Sequence, residues 1–476
     1  MKKSSALRRL GSALKILLAV YLALVVLTAL LPYWFPPKIP PEQQAAFDPA
    51  AFYGDAPTAD RVALVESPAD GLAVRLQLLA EAKERLDIAY YGMPMGNTTD
   101  QFLAGVLAAA DRGVQVRLLV DGVSGGLTYT HPDYARALGA HPNIELRLYN
   151  PPNPLCPWTI NGRMHDKYML VDGRLMILGG RNIGDRYFDD PAWTGPVSLD
   201  REVLVYNTAW RPGQAPAPES APGQVRAYMD SLWNSDSVRQ PFERDSAGGK
   251  KCRAKLTALA ETLPEAAPVD WQAATLPAAK ITLLHNGGDP GPKAPAVGYA
   301  LSRLVTSAQE SVVLQSPYAV PDPLLDEMLA QLGGMDIDCT LLTNSLAASP
   351  NLPACSCYQR ARKGLASGGI RVMEYQTPEC LHAKSYLIDG RLSLVGSFNL
   401  DPRSAVIDTE LLLAIDSPEF ARVLQTTLDG YLQNALQVAP DGSYLPGAAA
   451  PAETGFFKRA ASAVLGVVLL PFRCLV

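Results

Sequence analysis

Histidine is scarce in this sequence, since the 476-residue chain has only five. Basic residues do not dominate either, because 42 Lys and Arg face 47 Asp and Glu and the formal net charge is −5. Proteins whose main partner is nucleic acid usually need a basic surface, so this balance argues against that class. The seven cysteines show no metal-ligand spacing. We therefore expect no metal, no other cofactor and no nucleic-acid partner.

The composition excludes a disordered chain, because 48% of the residues are hydrophobic and 19% are charged. The chain is long enough for two domains of ordinary size, each with its own core. Each half contains a helix-like stretch followed by an apolar β-rich run, and this helix–strand unit occurs twice in succession. The two units span 71–122 in the first half and 300–344 in the second. This order predicts an α/β fold in both halves.

Two of the five histidines lie in a duplicated motif. Residues 164–172 read MHDKYMLVD, and residues 381–389 read LHAKSYLID. One constant offset, 217, relates His165, Lys167, Asp172, Gly179 and Asn182 to His382, Lys384, Asp389, Gly396 and Asn399. A period near 200 residues indicates duplication of a whole domain.

Each motif has the pattern of a strand–turn–strand hairpin, because Asp-Gly separates two aliphatic runs. On a strand, positions i and i+2 face the same way, so His165 and Lys167 share one face, as do His382 and Lys384. An unpaired ammonium is costly to bury. The pattern therefore predicts a site for an anionic ligand.

Other residues around the motifs have two interpretations. Asp172 and Asp389 are candidate catalytic residues, although Asp before Gly is also ordinary turn chemistry. Acidic residues head the apolar strands that follow both motifs, in Asp200-Arg201-Glu202 and Asp408-Thr409-Glu410. We expect Glu202 and Glu410 to orient the two imidazoles; simple solvation of the strand ends is the alternative. The candidate substrate-binding residues are Asn182, Asn399, Gly180 and Ser397.

The N-terminus has the pattern of a membrane anchor. Five Lys and Arg precede an uncharged stretch over 16–37, which is about the ~20 residues needed to span a bilayer. A cleaved signal peptide is the alternative, but no A-x-A site ends the apolar run. The charge asymmetry predicts a cytoplasmic N-terminus and catalytic domains on the extracytoplasmic side. Near the C-terminus, the apolar run over 460–472 is too short to span; it is either an interfacial segment or a helix docked on the domain.

The predicted organisation is a basic cytoplasmic N-terminus over 1–15, a transmembrane anchor over 16–37, a Pro-rich linker over 38–59, a first domain over 60–240, a linker over 241–275, a second domain over 276–437 and a membrane-interacting tail over 438–476.

With two His-x-Lys-x4-Asp motifs and trailing Gly-Gly/Ser-x-Asn, the sequence resembles the phospholipase D superfamily, and within it the bacterial cardiolipin synthases of the class C type. The resemblance covers roughly residues 60–437 and includes GGRNIGDRYF (179–188) and GSFNLDPRSAVIDTEL (396–411). It implies two phospholipase D-like α-β-α sandwich domains in a pseudo-twofold arrangement. It also implies a phosphohistidine intermediate, with His165 as nucleophile and His382 as acid.

The implied activity is phosphatidyl transfer that makes cardiolipin from phosphatidylglycerol and a second phospholipid, for which phosphatidylethanolamine is a candidate, in a bacterial cell membrane. Hydrolysis to phosphatidic acid by a phospholipase D is the alternative, followed by a phosphodiesterase or nuclease and by a lipid-binding scaffold. The implied partners are the phospholipid substrates and the membrane.

Overall fold

A computed structural model describes residues 2–127, 129–241 and 246–476. Met1, Thr128 and residues 242–245 lie outside the described residues; they fall in the predicted N-terminal segment, first domain and linker. The chain begins with the helices α1 (Lys2–Trp34) and α2 (Pro41–Ala46). Within α1, Leu10–Trp34 is long and apolar enough to cross a membrane, and the protein buries none of its most apolar stretch.

The first half of the chain folds around a mixed sheet. In chain order its elements are β1 (Asp60–Val65), α3 (Pro68–Glu81), β2 (Arg85–Tyr90), α4 (Asn97–Asp111), β3 (Gln115–Asp121), α5 (Pro132–Gly139), β4 (Ile144–Tyr149), β5 (Lys167–Val171), β6 (Leu175–Gly179), β7 (Ser198–Leu199), β8 (Glu202–Asn207), α6 (Ala221–Trp233), β9 (Val238–Arg239), α7 (Ala247–Ala260) and β10 (Leu276–Pro277). The order of the nine strands in the sheet is β10-β1-β8-β6-β5-β2-β3-β4-β9.

The second half repeats this plan. Its elements are β11 (Lys280–His285), α8 (Ala296–Val305), β12 (Ser311–Gln315), α9 (Pro323–Gly333), β13 (Asp338–Asn344), α10 (Leu352–Ser367), β14 (Arg371–Tyr375), β15 (Cys380–Leu381), β16 (Lys384–Ile388), β17 (Leu392–Gly396), α11 (Pro402–Val406), β18 (Leu411–Asp416), α12 (Pro418–Leu432), β19 (Ala435–Gln437) and α13 (Phe456–Val468). The order of the eight strands in its sheet is β11-β18-β17-β16-β12-β13-β14-β19.

Both sheets place the motif hairpin, β5–β6 or β16–β17, between a parallel block and an antiparallel strand. Helices cover the outer faces of the two sheets, and a shared apolar core lies between their inner faces. That core includes Leu178, Val203 and Leu232 from the first half and Leu387, Leu413 and Leu428 from the second. The predicted α/β fold with two similar domains and an apolar N-terminal helix is confirmed.

The segment predicted as a linker over 241–275 belongs to the first domain from Ala247 onward. Helix α7 packs against α4 and α5, and its Cys252 and Leu256 side chains join the outer core of the first sheet. Trp271 is buried in the same core. Strand β10 pairs with β1, Leu276 lying opposite Val62, so the first sheet extends beyond the predicted boundary at residue 276.

The N-terminal and C-terminal segments both contact the second domain. Tyr33 near the end of α1 is 2% exposed and joins the outer core of the second sheet, together with Phe52 of the segment predicted as a Pro-rich linker. Helix α13 packs on α10 through its small residues Ser462 and Gly466. The tail helix is therefore docked on the domain, while its large apolar side chains, such as Phe457, stay exposed.

Candidate active site

The two motif hairpins place the histidines just before two equivalent strands, β5 and β16. Each strand lies near the middle of its sheet. Each hairpin turns at Asp-Gly with positive φ at both residues, 54° and 72° at Asp172 and Gly173 and 49° and 58° at Asp389 and Gly390. Such a pair of left-handed residues matches the twist of the flanking strands. The local sequence thereby fixes where each histidine and lysine stands on its strand.

Two short backbone contacts join the halves beside the histidines. Strand β7 of the first half pairs in parallel with β15 of the second, and a single bridge between Met164 and Thr409 is its counterpart. The His382 backbone N–H donates to the Leu199 carbonyl at 2.7 Å, and the His165 N–H donates to the Thr409 carbonyl at 3.3 Å. Each histidine is therefore held by the opposite half.

Each imidazole contacts a carboxylate from the opposite half. Nδ1 of His165 lies 2.8 Å from Oε1 of Glu410, and Nδ1 of His382 lies 2.6 Å from Oδ2 of Asp200. Both carboxylates are fully buried. A carboxylate that accepts from Nδ1–H fixes the tautomer and leaves Nε2 as the reactive nitrogen.

The prediction that Glu202 orients an imidazole is wrong. Gly179 lies opposite Glu202 in the first sheet, whereas Gly396 lies opposite Leu412 in the second, so the counterpart of Glu410 is Asp200. Positions i and i+2 of a strand share a face, and the sequence pattern could not separate these two acids. The Glu202 carboxylate instead binds buried arginine side chains, Arg75 and Arg181.

The small residues after each motif make room for these carboxylates. A Cβ at Gly180 would lie 2.2 Å from Oδ1 of Asp200. At the counterpart position, the Ser397 hydroxyl donates to Oε2 of Glu410, and the Ser404 hydroxyl donates to Oε1 at 2.6 Å. Gly180 and Ser397, predicted to bind substrate, therefore position the two carboxylates.

The two lysines are buried beside their histidines. The Lys167 ammonium donates to the His165 backbone carbonyl, and the Lys384 ammonium lies 2.8 Å from Nδ1 of His382 and donates to its carbonyl at 2.5 Å. Burial lowers the pKa of Lys167 to about 7 and also lowers the pKa of Lys384. An anion at this place would restore the charged form of both side chains, so the pair is suited to a phosphate group.

The two histidines differ in their electrostatic surroundings. Burial, and next the neighbouring lysine, lower the pKa of both imidazoles, that of His382 to about 3. Burial raises the pKa of Glu410 to about 8, whereas Lys384 and His382 overcome the effect of burial and hold the pKa of Asp200 well below its usual value. Asp200 raises the pKa of His382 through its charge and its hydrogen bond, whereas His165 is affected in that direction by the charge of Asp408.

The predicted asparagines lie beside the site. Asn182 Nδ2 donates to the Tyr187 hydroxyl at 3.2 Å, and its Oδ1 accepts from the Gly92 N–H at 3.2 Å. The Asn399 backbone N–H donates to Ser404 Oγ at 3.1 Å. In the part of the chain that the structure describes, the Asn399 side-chain oxygen is buried and has no hydrogen-bond partner.

Asp172 and Asp389, predicted as candidate catalytic residues, lie at the other ends of β5 and β16. Each follows its histidine by seven residues, which is about 23 Å at an extended rise. The Asp172 carboxylate accepts the backbone N–H groups of residues 83–85 at 2.8–3.0 Å. Asp389 does the same for residues 309–311 at 2.8–3.2 Å. The turn interpretation is therefore the correct one for both residues.

Sequence reasoning missed the aromatic walls of the site. The Tyr91 ring lies 5.0 Å from the His165 ring, and the Tyr187 ring lies 5.9 Å from the His382 ring. The Arg186 guanidinium donates to the Tyr187 hydroxyl at 2.8 Å. A cavity of about 320 Å³ adjoins this wall, lined by Gly92, Pro94, Met95, Asn182, Asp185, Arg186, Tyr187 and Trp193. Adjacent tyrosines in the strand-ending run AYYG were the only sequence signal for Tyr91.

Comparisons with known proteins agree with this geometry. The family model described as "Cardiolipin synthase, PLD-like domain" matches residues 76–206 and 301–432. Cardiolipin synthase C of Escherichia coli (strain K12) is 28% identical over 408 residues, 76% of this chain and 82% of that protein. Cardiolipin synthase 1 of Staphylococcus aureus (strain MRSA252) is 24% identical over 370 residues, 77% of this chain and 66% of that protein. The crystal structure of phosphatidylserine synthase of Haemophilus influenzae Rd KW20 matches with a TM-score of 0.62 at 16% identity, covering 87% of this chain and 95% of that one, a likeness of fold.

Proposed function

The chain belongs to the family of cardiolipin synthase, phospholipase D-like domains, and on that premise we propose that it is a membrane-bound cardiolipin synthase. It transfers the phosphatidyl group of phosphatidylglycerol to a hydroxyl of a second phospholipid through a phosphohistidine. The observation that carries the proposal is the pair of imidazoles, each with a buried lysine beside it and a carboxylate from the opposite half on Nδ1.

In the first step Nε2 of neutral His165 attacks the phosphorus of the donor lipid. A P–N bond forms, the P–O bond to the leaving glycerol breaks, and the proton on Nε2 of His382 goes to the departing oxygen. Negative charge grows on the non-bridging oxygens during the attack. The ammonium groups of Lys167 and Lys384 and the side chains of Asn182 and Asn399 stabilise that charge.

In the second step the roles reverse. Neutral His382 takes the proton of the acceptor hydroxyl, whose oxygen attacks phosphorus while the P–N bond to His165 breaks. A new phosphodiester forms, and both imidazoles return to their starting states. Two phosphatidyl groups bridged by one glycerol are the product when phosphatidylglycerol is the acceptor.

The electrostatic difference between the two carboxylates supports these roles. The acid of the first step must carry a proton. Burial and Lys384 lower the pKa of His382, whereas the ionised Asp200 raises it, and the anionic phosphate of a bound donor acts in the same direction as Asp200. The nucleophile must be neutral, and burial together with Lys167 keeps His165 neutral. The chain-order assignment implied by the family resemblance agrees with this difference.

The proposed location is the extracytoplasmic face of a bacterial membrane, with α1 as an uncleaved anchor. Tyr33 supports retention of the helix, because its removal would leave a gap in the outer core of the second sheet. The exposed apolar side chains of α13, such as Phe456 and Phe457, support a membrane-facing tail. A dry, lipid-facing approach to the site is needed for transfer, since water competes with the acceptor for the phosphohistidine.

The test uses the full-length protein in proteoliposomes that contain phosphatidylglycerol, with and without phosphatidylethanolamine, and identifies the products by mass. We expect cardiolipin from the wild type and none from His165→Ala or His382→Ala. The matched control is His131→Ala, because His131 is exposed and lies outside the site; it should keep wild-type activity. Phosphatidic acid as the only product, with phosphatidylglycerol in excess, would make the enzyme a phospholipase D.

A further inference from the structure

Residues 151–162, between β4 and the first catalytic hairpin, lie against the N-terminal helix. The Tyr21 hydroxyl donates to the Pro154 carbonyl at 2.8 Å, and Asn161 Nδ2 donates to the Ala29 carbonyl at 2.6 Å. A short 3-10 helix, Pro157–Thr159, packs on the same helix between these two contacts. We propose that this segment, the membrane loop, inserts into the hydrocarbon region of the bilayer beside α1. The proposal rests on α1 crossing the membrane and is independent of the reaction.

The position of Tyr21 on α1 sets the depth of the membrane loop. About 20 helical residues cross the ~30 Å hydrocarbon layer at 1.5 Å per residue. If the span starts at Leu10, the outer boundary lies near Leu30 and Tyr21 is about 13 Å below it. If the span starts at Ile16, after Lys15, Tyr21 is about 22 Å below the boundary. Either placement puts the Pro154 contact inside the hydrocarbon layer.

The composition of the membrane loop fits that environment. Its sequence, PPNPLCPWTING, contains no charged residue and four prolines, which have no N–H to leave unpaired. Leu155 is 84% exposed and Trp158 is 44% exposed. Exposure of these apolar side chains to water is unfavourable, whereas their insertion into lipid removes apolar area from water and lowers the free energy.

Internal hydrogen bonds satisfy backbone groups of the membrane loop, which an inserted non-helical segment requires. The Leu155 N–H donates to Asn153 Oδ1 at 3.0 Å, and the Cys156 N–H donates to the Asn153 carbonyl at 3.0 Å. The Thr159 N–H donates to the Cys156 carbonyl at 3.1 Å, and the Gly162 N–H donates to the Thr159 carbonyl at 3.2 Å.

The membrane loop continues directly into the catalytic hairpin. Asn150, directly after β4, connects the two ends of the membrane loop. Its Nδ2 donates to the carbonyls of Thr159 at 2.7 Å and Gly162 at 2.8 Å. His165 follows Gly162 by three residues. Insertion of the loop therefore sets the distance between the reactive imidazole and the lipid headgroups, and a phosphodiester can reach it while its acyl chains stay in the bilayer.

Fluorescence quenching of Trp158 tests the insertion. The full-length protein is reconstituted into phosphatidylcholine–phosphatidylglycerol vesicles that carry bromine either in the middle of the acyl chains or near the headgroup, and aqueous iodide is the third quencher. The difference between the wild type and Trp158→Phe isolates the signal of this residue. Trp210→Phe is the control, because Trp210 lies beside Arg174 at the hairpin turn, away from the histidines.

We expect the Trp158 signal to be quenched by mid-chain bromine and protected from iodide, and the Trp210 signal to be insensitive to brominated lipid. Quenching by iodide, or by headgroup bromine alone, would overturn the proposal. A second variant, Leu155→Glu, places a charge at the same depth. It should raise KM for bilayer substrate about tenfold or more while activity on a monomeric short-chain phospholipid is unchanged. Val423→Glu, on the exposed face of α12, should change neither activity.

Discussion

Replacement of Asp200 by Asn tests the register that the structure assigns to the active-site carboxylates. Asparagine can still accept the hydrogen bond from His382 Nδ1, so the change removes the charge and keeps the shape. A hydrogen bond to a charged group contributes about 1.5–3 kcal/mol and one between neutral groups about 0.5–1.5 kcal/mol. The His382–Asp200 bond is 2.6 Å long and buried, so the neutral acceptor should cost about 1–1.5 kcal/mol. At about 1.4 kcal/mol per factor of ten, kcat/KM should fall roughly 5- to 12-fold.

The pH profile separates this role from a structural one. The charge of Asp200 raises the pKa of His382, so its removal lowers that pKa further. The acid of the first step is active only while protonated, and activity is lost as pH rises through its pKa. The alkaline limb of the kcat/KM profile should therefore move to lower pH in Asp200→Asn.

The matched control is Glu202→Gln, two residues along the chain. Glu202 binds Arg75 and Arg181 and makes no contact with either histidine, so its loss should lower the Tm and leave the alkaline limb where it is. A wild-type rate and profile in Asp200→Asn, or a shifted limb in Glu202→Gln, would refute the assignment. Initial rates at constant folded concentration, over a pH series in the same vesicles, supply the measurement.

Three further outcomes are expected. Lys384→Met should reduce kcat by at least about 100-fold with little change in Tm, since it removes a charge that acts on the transition state. A higher KM with an unchanged kcat would contradict this. Asp172→Asn should lower the free energy of unfolding by about 1–3 kcal/mol, measured by denaturant titration, with kcat nearly unchanged, because it accepts three backbone N–H groups far from the histidines. Truncation after Glu453 should lower the ratio of cardiolipin to phosphatidic acid more than total donor consumption, and parallel losses of both products would show that the tail serves only folding or attachment.

The sequence alone determined the local features of this protein. Alternation along a strand and Asp-Gly turns are short-range effects, so the two hairpins and the paired faces of His165 and Lys167 followed from a few neighbouring residues. The constant offset of 217 between the motifs is a property of the chain itself, and it gave the duplication. Local hydropathy likewise predicted an apolar helix over 16–37, and the structure places the apolar part of that helix at Leu10–Trp34.

Tertiary structure alone decided which distant groups meet. The choice of Asp200 over Glu202 depends on how β8 pairs with β6, and two acids two positions apart look alike in the sequence until that register is known. The Asp172 carboxylate binds backbone N–H groups at the start of β2, and these groups lie almost ninety residues earlier in the chain. The contact of residues 151–162 with α1 joins segments over a hundred residues apart. Such pairings follow from the packing of whole elements, and no local preference in the sequence encodes them.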